Sequence, residues 1–160
     1  MDKILRCESI KKVGIITKRD IDGQKALLEK VVKYLERKKK EVLYDSNSAR
    51  VLKKGKGLKK EQLLQSSDMA ILLGGDGTIL KTARRLPRKH VPALGVHMGH
   101  LGFLTETTPD KMFELLDRIF KDECLIDKRT VLRVTLYRNG KKHSTYLALN
   151  DAVINQGYFA

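Results

Sequence analysis

The chain has 160 residues, of which 41% are hydrophobic and 32% charged, and its formal net charge is +14. This length and composition fit about one folded domain rather than a disordered chain. We expect a cytoplasmic protein without a membrane partner, because neither a span of about 20 apolar residues nor a signal-peptide core is present. The basic surface favours anionic ligands. The absence of zinc-finger spacing and of an RNA-binding aromatic signature argues against a nucleic-acid partner.

The first 125 residues alternate strand and helix patterns. Runs of adjacent apolar residues predict buried strands of the parallel type at 12–17, 41–44, 69–73 and 91–96. Apolar residues at helical spacing predict a helix over 24–40, a second whose apolar face is Ile79, Leu80, Ala83 and Leu86, and a third that begins at Thr108-Pro109. Residues 45–60 are polar and glycine-containing, which predicts a loop with a short helical turn.

The pattern changes near residue 126. Residues 130–137 alternate in the manner of a strand, Asn139-Gly140 is a hairpin turn signal, and strands at 144–149 and 152–154 are predicted to follow. We therefore predict an α/β fold with two domains. Residues 1–125 form a Rossmann-like, open, mostly parallel sheet with flanking helices, and residues 126–160 form the start of an antiparallel β domain.

A glycine-rich turn, Gly74-Gly75-Asp76-Gly77-Thr78, joins a buried strand to the next helix. Glycines let the backbone approach a phosphate, the helix N-terminus attracts anions, and Thr78 is expected to cap the helix. A central carboxylate would repel phosphate unless a divalent cation or a substrate hydroxyl lies between them. In the second case Asp76 is a general base that activates an attacking alcohol. A simpler reading, in which Asp76 only accepts hydrogen bonds from turn N–H groups, stays open.

A second glycine-punctuated turn, residues 95–104, also follows a buried strand. Because ligands bind outside the carboxyl ends of parallel strands, we expect both turns to line one crevice. Phe103 is either a stacking surface for a nucleobase or a core residue. His97 and His100 have no third ligand nearby, which favours neutral, hydrogen-bonding histidines over metal ligands. No metal site is predicted.

A third segment, Asn150-Asp151, follows a predicted strand. An amide beside a carboxylate can contact a base edge and ribose hydroxyls, although the same pair is common in turns. Together the three segments resemble the NAD kinase family: residues 74–78 match its GGDGT motif, 95–104 resemble its GxNxGxLGFL turn, and Asn150-Asp151 matches its second motif. Diacylglycerol kinases, sphingosine kinases and phosphofructokinases have loops similar to GGDGT, and the other two segments favour NAD kinase. His97 stands where many members of the family have Asn.

The resemblance implies an enzyme that transfers a phosphoryl group from ATP or inorganic polyphosphate, with Mg²⁺ or another divalent ion, to the adenosine 2′-hydroxyl of NAD. It implies that Asp76 is the catalytic base. It implies NAD contacts at Asp76, Gly77, Phe103, Asn150 and Asp151, and phosphate contacts at Gly74, Gly75, Gly77, Thr78 and Lys81.

Members of that family continue into a β-rich domain that supplies much of the NAD pocket and the subunit contacts. The resemblance therefore implies a homo-oligomer for the full-length enzyme. We expect this chain to be truncated within that domain and to have little activity alone. Two alternatives stay open: a non-catalytic nucleotide-binding module, and a lipid kinase of the diacylglycerol kinase type.

Overall fold

The computed structural model describes residues 10–19, 25–85, 91–99, 102–149 and 151–154. The helices and strands follow in chain order: β1 (Lys12–Thr17), α1 (Lys25–Arg37), β2 (Glu41–Tyr44), α2 (Ser46–Leu52), α3 (Lys60–Ser66), β3 (Met69–Gly74), α4 (Asp76–Ala83), β4 (Ala93–His97), α5 (Pro109–Ile119), β5 (Val131–Arg138) and β6 (Lys141–Leu149). The chain divides into two compact units, residues 1–126 and 127–160. In the described ranges no helix has both the length and the apolar character needed to cross a membrane.

The first unit contains a four-stranded parallel sheet in the order β2-β1-β3-β4. Successive side chains of a strand point to opposite faces, so Val13 and Ile15 of β1 join the core formed with α1 and α5. Ile16 joins a second core with Leu63 and Leu64 of α3. Covered faces on both sides explain why the apolar residues of β1 and β3 follow one another without alternation. The predicted α/β fold is confirmed.

The strand order creates a crevice at one edge of the sheet. From β1 the chain moves outward to β2 and then crosses back to β3 on the other side of β1. The direction of winding therefore reverses between β1 and β3. In open α/β sheets, ligands bind outside the carboxyl ends of the strands at such a reversal. The carboxyl end of β3 is Gly74, the first glycine of the 74–78 turn.

Between β2 and β3 the structure contains more helix than the sequence predicted. The expected 45–60 loop includes α2, because the Asp45 carboxylate accepts hydrogen bonds from Ser48 N at 2.8 Å and Ser48 Oγ at 2.7 Å and so caps the helix. Helix α3 was not predicted. It packs closely on β1 at Gly14, where an added Cβ would overlap Leu63 Cδ2 and lie 2.6 Å from Ser67 Oγ.

Helix α4 buries Ala83 of the predicted apolar face, together with two threonines that were not predicted. Its buried residues are Thr78, Thr82 and Ala83. Ile79 packs partly buried against the second core, Leu80 is half-buried, and the predicted Leu86 lies outside the described residues. Helix α1 ends at Arg37, three residues before the predicted end at 40.

The second unit is an antiparallel hairpin of β5 and β6. Its turn residues, Asn139 and Gly140, have φ values of 50° and 70°. Positive φ at both positions is what a two-residue hairpin turn requires. The predicted strand at 152–154 is wrong, because residues 151–154 have no strand structure. Asn150 lies outside the described residues.

Candidate functional site

The turn after β3 leaves the start of α4 open to a ligand. Gly75 is the N-cap residue, and within the described part of the chain no side chain caps this helix. The backbone N–H groups of the first turn have no acceptor within the helix, although Thr78 N donates to Gly75 O at 2.8 Å. Uncapped N–H groups and the positive end of the helix dipole attract anions, so we call the 74–78 turn the candidate anion site.

The predicted capping role of Thr78 is wrong. Thr78 lies inside α4 and is 8% exposed, and its side chain packs against Gly74. A Cβ added to Gly74 would overlap Thr78 Oγ1. Gly74 therefore has a packing reason to be glycine. Gly77, by contrast, is exposed, and an added Cβ there would have no heavy atom within 4 Å in the described structure.

Asp76 joins the two glycine-rich turns. Phe103 N donates to Asp76 Oδ2 at 2.9 Å, and Leu104 N donates to Oδ1 at 3.1 Å. The carboxylate lies against Gly102, where an added Cβ would be 2.6 Å from Asp76 Cγ. The simpler reading of Asp76 as an acceptor for turn N–H groups is thus seen in the structure. It does not exclude the chemical role, because each carboxylate oxygen keeps a further lone pair for a substrate hydroxyl.

A backbone hydrogen bond strengthens the contact between the turns. Met98 N, just after β4, donates to Gly74 O at 2.8 Å. The turn after β4 is held in shape by Gly102 N, which donates to the buried Thr105 Oγ1 at 3.1 Å. The two turns that the sequence assigned to one crevice are therefore adjacent, at the carboxyl ends of β3 and β4.

Phe103 projects from this edge. Its side chain is 96% exposed, which rules out the reading of Phe103 as a core residue. Its backbone N–H is fixed by Asp76, so the ring is attached to a defined backbone position and its faces are free for stacking. The predicted contact with a nucleobase stays a prediction, and so do the NAD contacts of Asp151, which belongs to the second unit.

The ring of His97 lies against the 74–78 turn. Gly99 N donates to His97 Nδ1 at 2.9 Å, so in the neutral imidazole the proton is on Nε2. That nitrogen would be 3.3 Å from a Cβ added to Gly75. Sequence reasoning identified His97 as a hydrogen-bonding residue but did not place it beside Gly75. His100 lies outside the described residues.

Lys81 lies at the far end of α4 from the anion site. It is exposed in the last turn, about 7.5 Å along the helix axis from Asp76. Burial lowers the pKa of Lys60, the nearby Asp45 raises it, and the positive charges of Arg85 and Lys81 lower it further. The positive charge of Lys81 therefore acts at Lys60, as does that of Arg85. The predicted contact between Lys81 and a phosphate stays a prediction.

The described residues offer no preformed metal site. In these ranges no three or more His, Cys, Asp or Glu side chains are grouped so that they could hold a metal ion. Mg²⁺ that is held by substrate phosphates, waters and one or two carboxylates does not need such a group.

Comparison with known proteins gives consistent matches. Residues 13–124 match the sequence model of a protein family, the ATP-NAD kinase N-terminal domain. An NAD kinase of Geobacter sulfurreducens is 34% identical over 94% of this chain and 53% of the relative. Among solved structures, yeast NADH kinase complexed with NADH has a TM-score of 0.72 at 18% identity, covering 88% of this chain and 46% of its own.

A second solved structure, an NAD kinase from Archaeoglobus fulgidus in complex with ATP, has a TM-score of 0.53 at 22% identity and covers 78% of this chain and 40% of its own. At these identities the two structures support the fold only. The chain spans about half the length of the relatives it matches, 53% in the Geobacter protein.

Proposed function

Because the chain belongs to the ATP-NAD kinase family, we propose that its protein phosphorylates the adenosine 2′-hydroxyl of NAD to make NADP. The observation that carries this proposal is the position of Asp76. Its carboxylate lies at the start of an uncapped helix and is fixed by Phe103 N and Leu104 N. A carboxylate beside an anion site is unfavourable for phosphate binding alone, but it suits a reaction in which an alcohol attacks a phosphoryl group.

In the proposed reaction the 2′-hydroxyl oxygen attacks the terminal phosphorus of the donor. Asp76 takes the hydroxyl proton, the new P–O bond forms, and the bond between that phosphorus and the bridging oxygen breaks. The shortened donor leaves, as ADP when ATP is the donor. The backbone of Gly74, Gly75 and Gly77, with the first turn of α4, would hold the donor phosphates. Thr78 and Lys81 complete the proposed set of phosphate contacts.

The donor is proposed to be ATP or inorganic polyphosphate. The similar NAD kinase from Archaeoglobus fulgidus was solved in complex with ATP, which supports ATP as the phosphoryl donor. Mg²⁺ or another divalent ion would arrive on the donor phosphates. That arrangement fits a chain whose described residues provide no ligand cluster, and the cation would neutralise charge that develops on the phosphoryl oxygens.

The NAD site is proposed to include Phe103 against the adenine and hydrogen bonds from Asn150 and Asp151, together with Asp76 and Gly77. We further propose a cytoplasmic homo-oligomer in which more β structure completes the NAD pocket. In the hairpin, Tyr137 and Tyr146 are 61% and 59% exposed, so their rings are available for packing against further β structure. A two-stranded hairpin is marginally stable alone and gains stability from further strands or packing.

The test is NADP formation by the protein carried to the end of its natural gene, with NAD, ATP and Mg²⁺. Asp76→Asn should lower turnover by about 10²–10⁴-fold, the usual contribution of a general base. NAD affinity should fall far less, because the Asn side chain keeps one oxygen for the ribose. Asp110→Asn, the same chemical change at an exposed site in the first turn of α5, is the matched control and should keep full turnover.

The same assay distinguishes the other functions. Diacylglycerol offered in place of NAD should not be phosphorylated, and phosphorylated lipid as the only product would establish a lipid kinase. NAD and ATP binding without turnover would establish a non-catalytic module. Near wild-type turnover by Asp76→Asn would show that Asp76 is not the base.

A further inference from the structure

We propose that His97 is a phosphate-binding residue, and that its Nε2–H donates a hydrogen bond to a phosphoryl oxygen held at the 74–78 turn. This inference rests on the proposed function, because it assigns a further ligand contact to the same anion site. It depends on the position of His97 at the end of β4 and on the direction in which its ring is fixed.

The tautomer of His97 is set by a backbone contact. Gly99 N donates to Nδ1 at 2.9 Å, and a nitrogen that accepts a hydrogen bond cannot also carry the proton. The neutral ring must therefore carry its proton on Nε2. The local fold thus converts an imidazole that could donate from either nitrogen into one that donates only from Nε2.

The distal side of the ring, which carries Nε2, lies against Gly75. Nε2 would be 3.3 Å, and Cδ2 3.7 Å, from a Cβ added to Gly75. Gly75 is the N-cap residue of α4, and no described side chain caps this helix, so Nε2 lies beside an uncapped helix start. Within the described part of the chain, Nε2 makes no hydrogen bond to protein.

Backbone hydrogen bonds fix the main chain of His97, and the bond from Gly99 N to Nδ1 orients its ring. Met98 N donates to Gly74 O at 2.8 Å, and His97 N donates to Thr107 O at 2.8 Å. These bonds fix the His97 backbone between β3 and the segment before α5. An N–H that is held beside an uncapped helix start is pre-organised for an anion, because little side-chain entropy is lost on binding.

Two substitutions at His97 test the roles of its two ring nitrogens separately. In His97→Asn, the Asn Oδ1 occupies the place of Nδ1 and can accept from Gly99 N, but the distal donor is lost. In His97→Gln, the Gln Nε2 reaches about as far as the His Nε2, but the acceptor for Gly99 is lost. His143→Asn is the matched control, because His143 is an exposed histidine of the second unit whose Nδ1 lies 3.3 Å from Ser144 Oγ.

The experiment measures binding of inorganic tripolyphosphate to the 160-residue chain by calorimetry, with the ¹⁵N shift of His97 Nε2 followed by NMR. We expect His97→Asn to weaken binding about tenfold, the low end for a hydrogen bond to a charged acceptor at a site open to water. His97→Gln should recover part of the affinity, and His143→Asn should bind like wild type. In the wild type, the Nε2 shift should change on saturation.

Three results would contradict the proposal. Equal affinity of the wild type and His97→Asn, with an unchanged Nε2 shift, would show that His97 only shapes its turn and would leave the proposed function intact. An Nδ1-protonated ring would remove the basis of the argument. No binding of tripolyphosphate to the wild-type chain would contradict both this inference and the anion site of the proposed function.

Discussion

The Asp76 carboxylate should hold the second glycine-rich turn against the first even when no ligand is bound. Its two oxygens accept from Phe103 N at 2.9 Å and Leu104 N at 3.1 Å. In Asp76→Asn only one side-chain oxygen remains. One backbone N–H would then face an NH₂ group, and the other would donate to a neutral acceptor in place of a charged one.

The size of the effect follows from these two bonds. A hydrogen bond to a charged group contributes about 1.5–3 kcal/mol, and a bond between neutral groups about 1 kcal/mol. Asp76 is half-buried, which favours the lower values. Asp76→Asn should therefore favour local opening of the turn by about 2 kcal/mol, an increase of about 30-fold in the opening equilibrium constant.

Native-state hydrogen exchange of the Phe103 and Leu104 amides measures this opening directly. Their protection should fall by about 30-fold in Asp76→Asn. The amide of Ile71 in the buried strand β3 should keep its protection, as should both turn amides in Asp110→Asn. Unchanged protection of Phe103 and Leu104 would show that the carboxylate does not hold the turn.

Three further substitutions test the packing of the first unit. Thr17 is fully buried, and within the described structure its Oγ1 has no hydrogen-bond partner. Thr17→Val should therefore raise the free energy of unfolding in urea by about 1 kcal/mol, and a loss of similar size would show that the hydroxyl has a partner. Gly14→Ala should lower it by about 1–3 kcal/mol, because the added Cβ overlaps Leu63; no loss would mean that α3 can move. Tyr34 donates from its hydroxyl to Asp117 at 2.8 Å, and burial, followed by this bond, raises its pKa above the usual 10.0. Above pH 10 the unfolded chain loses the Tyr34 proton first, so the stability of the wild type should fall with pH relative to Tyr34→Phe, and a constant difference between pH 8 and 11 would contradict the assignment.

The parts of the fold that the sequence predicts well are those with strong local signals. Strand β3 is a run of apolar residues that leads directly into the glycines at 74 and 75. The hairpin turn follows from Asn139-Gly140, since both residues must adopt positive φ and do so at low cost. In each case a few adjacent residues determine the local backbone.

The errors arise where distant contacts decide the structure. Helix α3 contains only two fully buried residues, Leu63 and Leu64, too few to produce a helical pattern in the sequence. It is stabilised by packing on β1 at Gly14. Residues 152–154 are apolar enough to predict a strand, but a strand forms only when a partner strand supplies hydrogen bonds.

In the candidate site, too, contacts between separate segments decide features that the sequence does not predict. The motif identifies Asp76, but only the structure shows that its carboxylate accepts hydrogen bonds from residues 103 and 104. The choice between an exposed and a buried Phe103 also depends on the path of the second turn. The orientation of His97 depends on Gly99, two residues later, and a pattern of residue types does not encode which ring nitrogen accepts the hydrogen bond.

The most direct test of the proposed function is to follow the phosphoryl group itself. The protein, carried to the end of its natural gene, is incubated with NAD, Mg²⁺ and ATP labelled with ³²P at the terminal phosphate. The proposed reaction predicts that the label appears on the adenosine 2′-oxygen of NADP, that ADP forms in equal amount, and that Asp76→Asn lowers both rates by about 10²–10⁴-fold. Label found only in inorganic phosphate or on another acceptor, by a protein that binds NAD and ATP, would contradict the assignment of this chain's site to NAD phosphorylation.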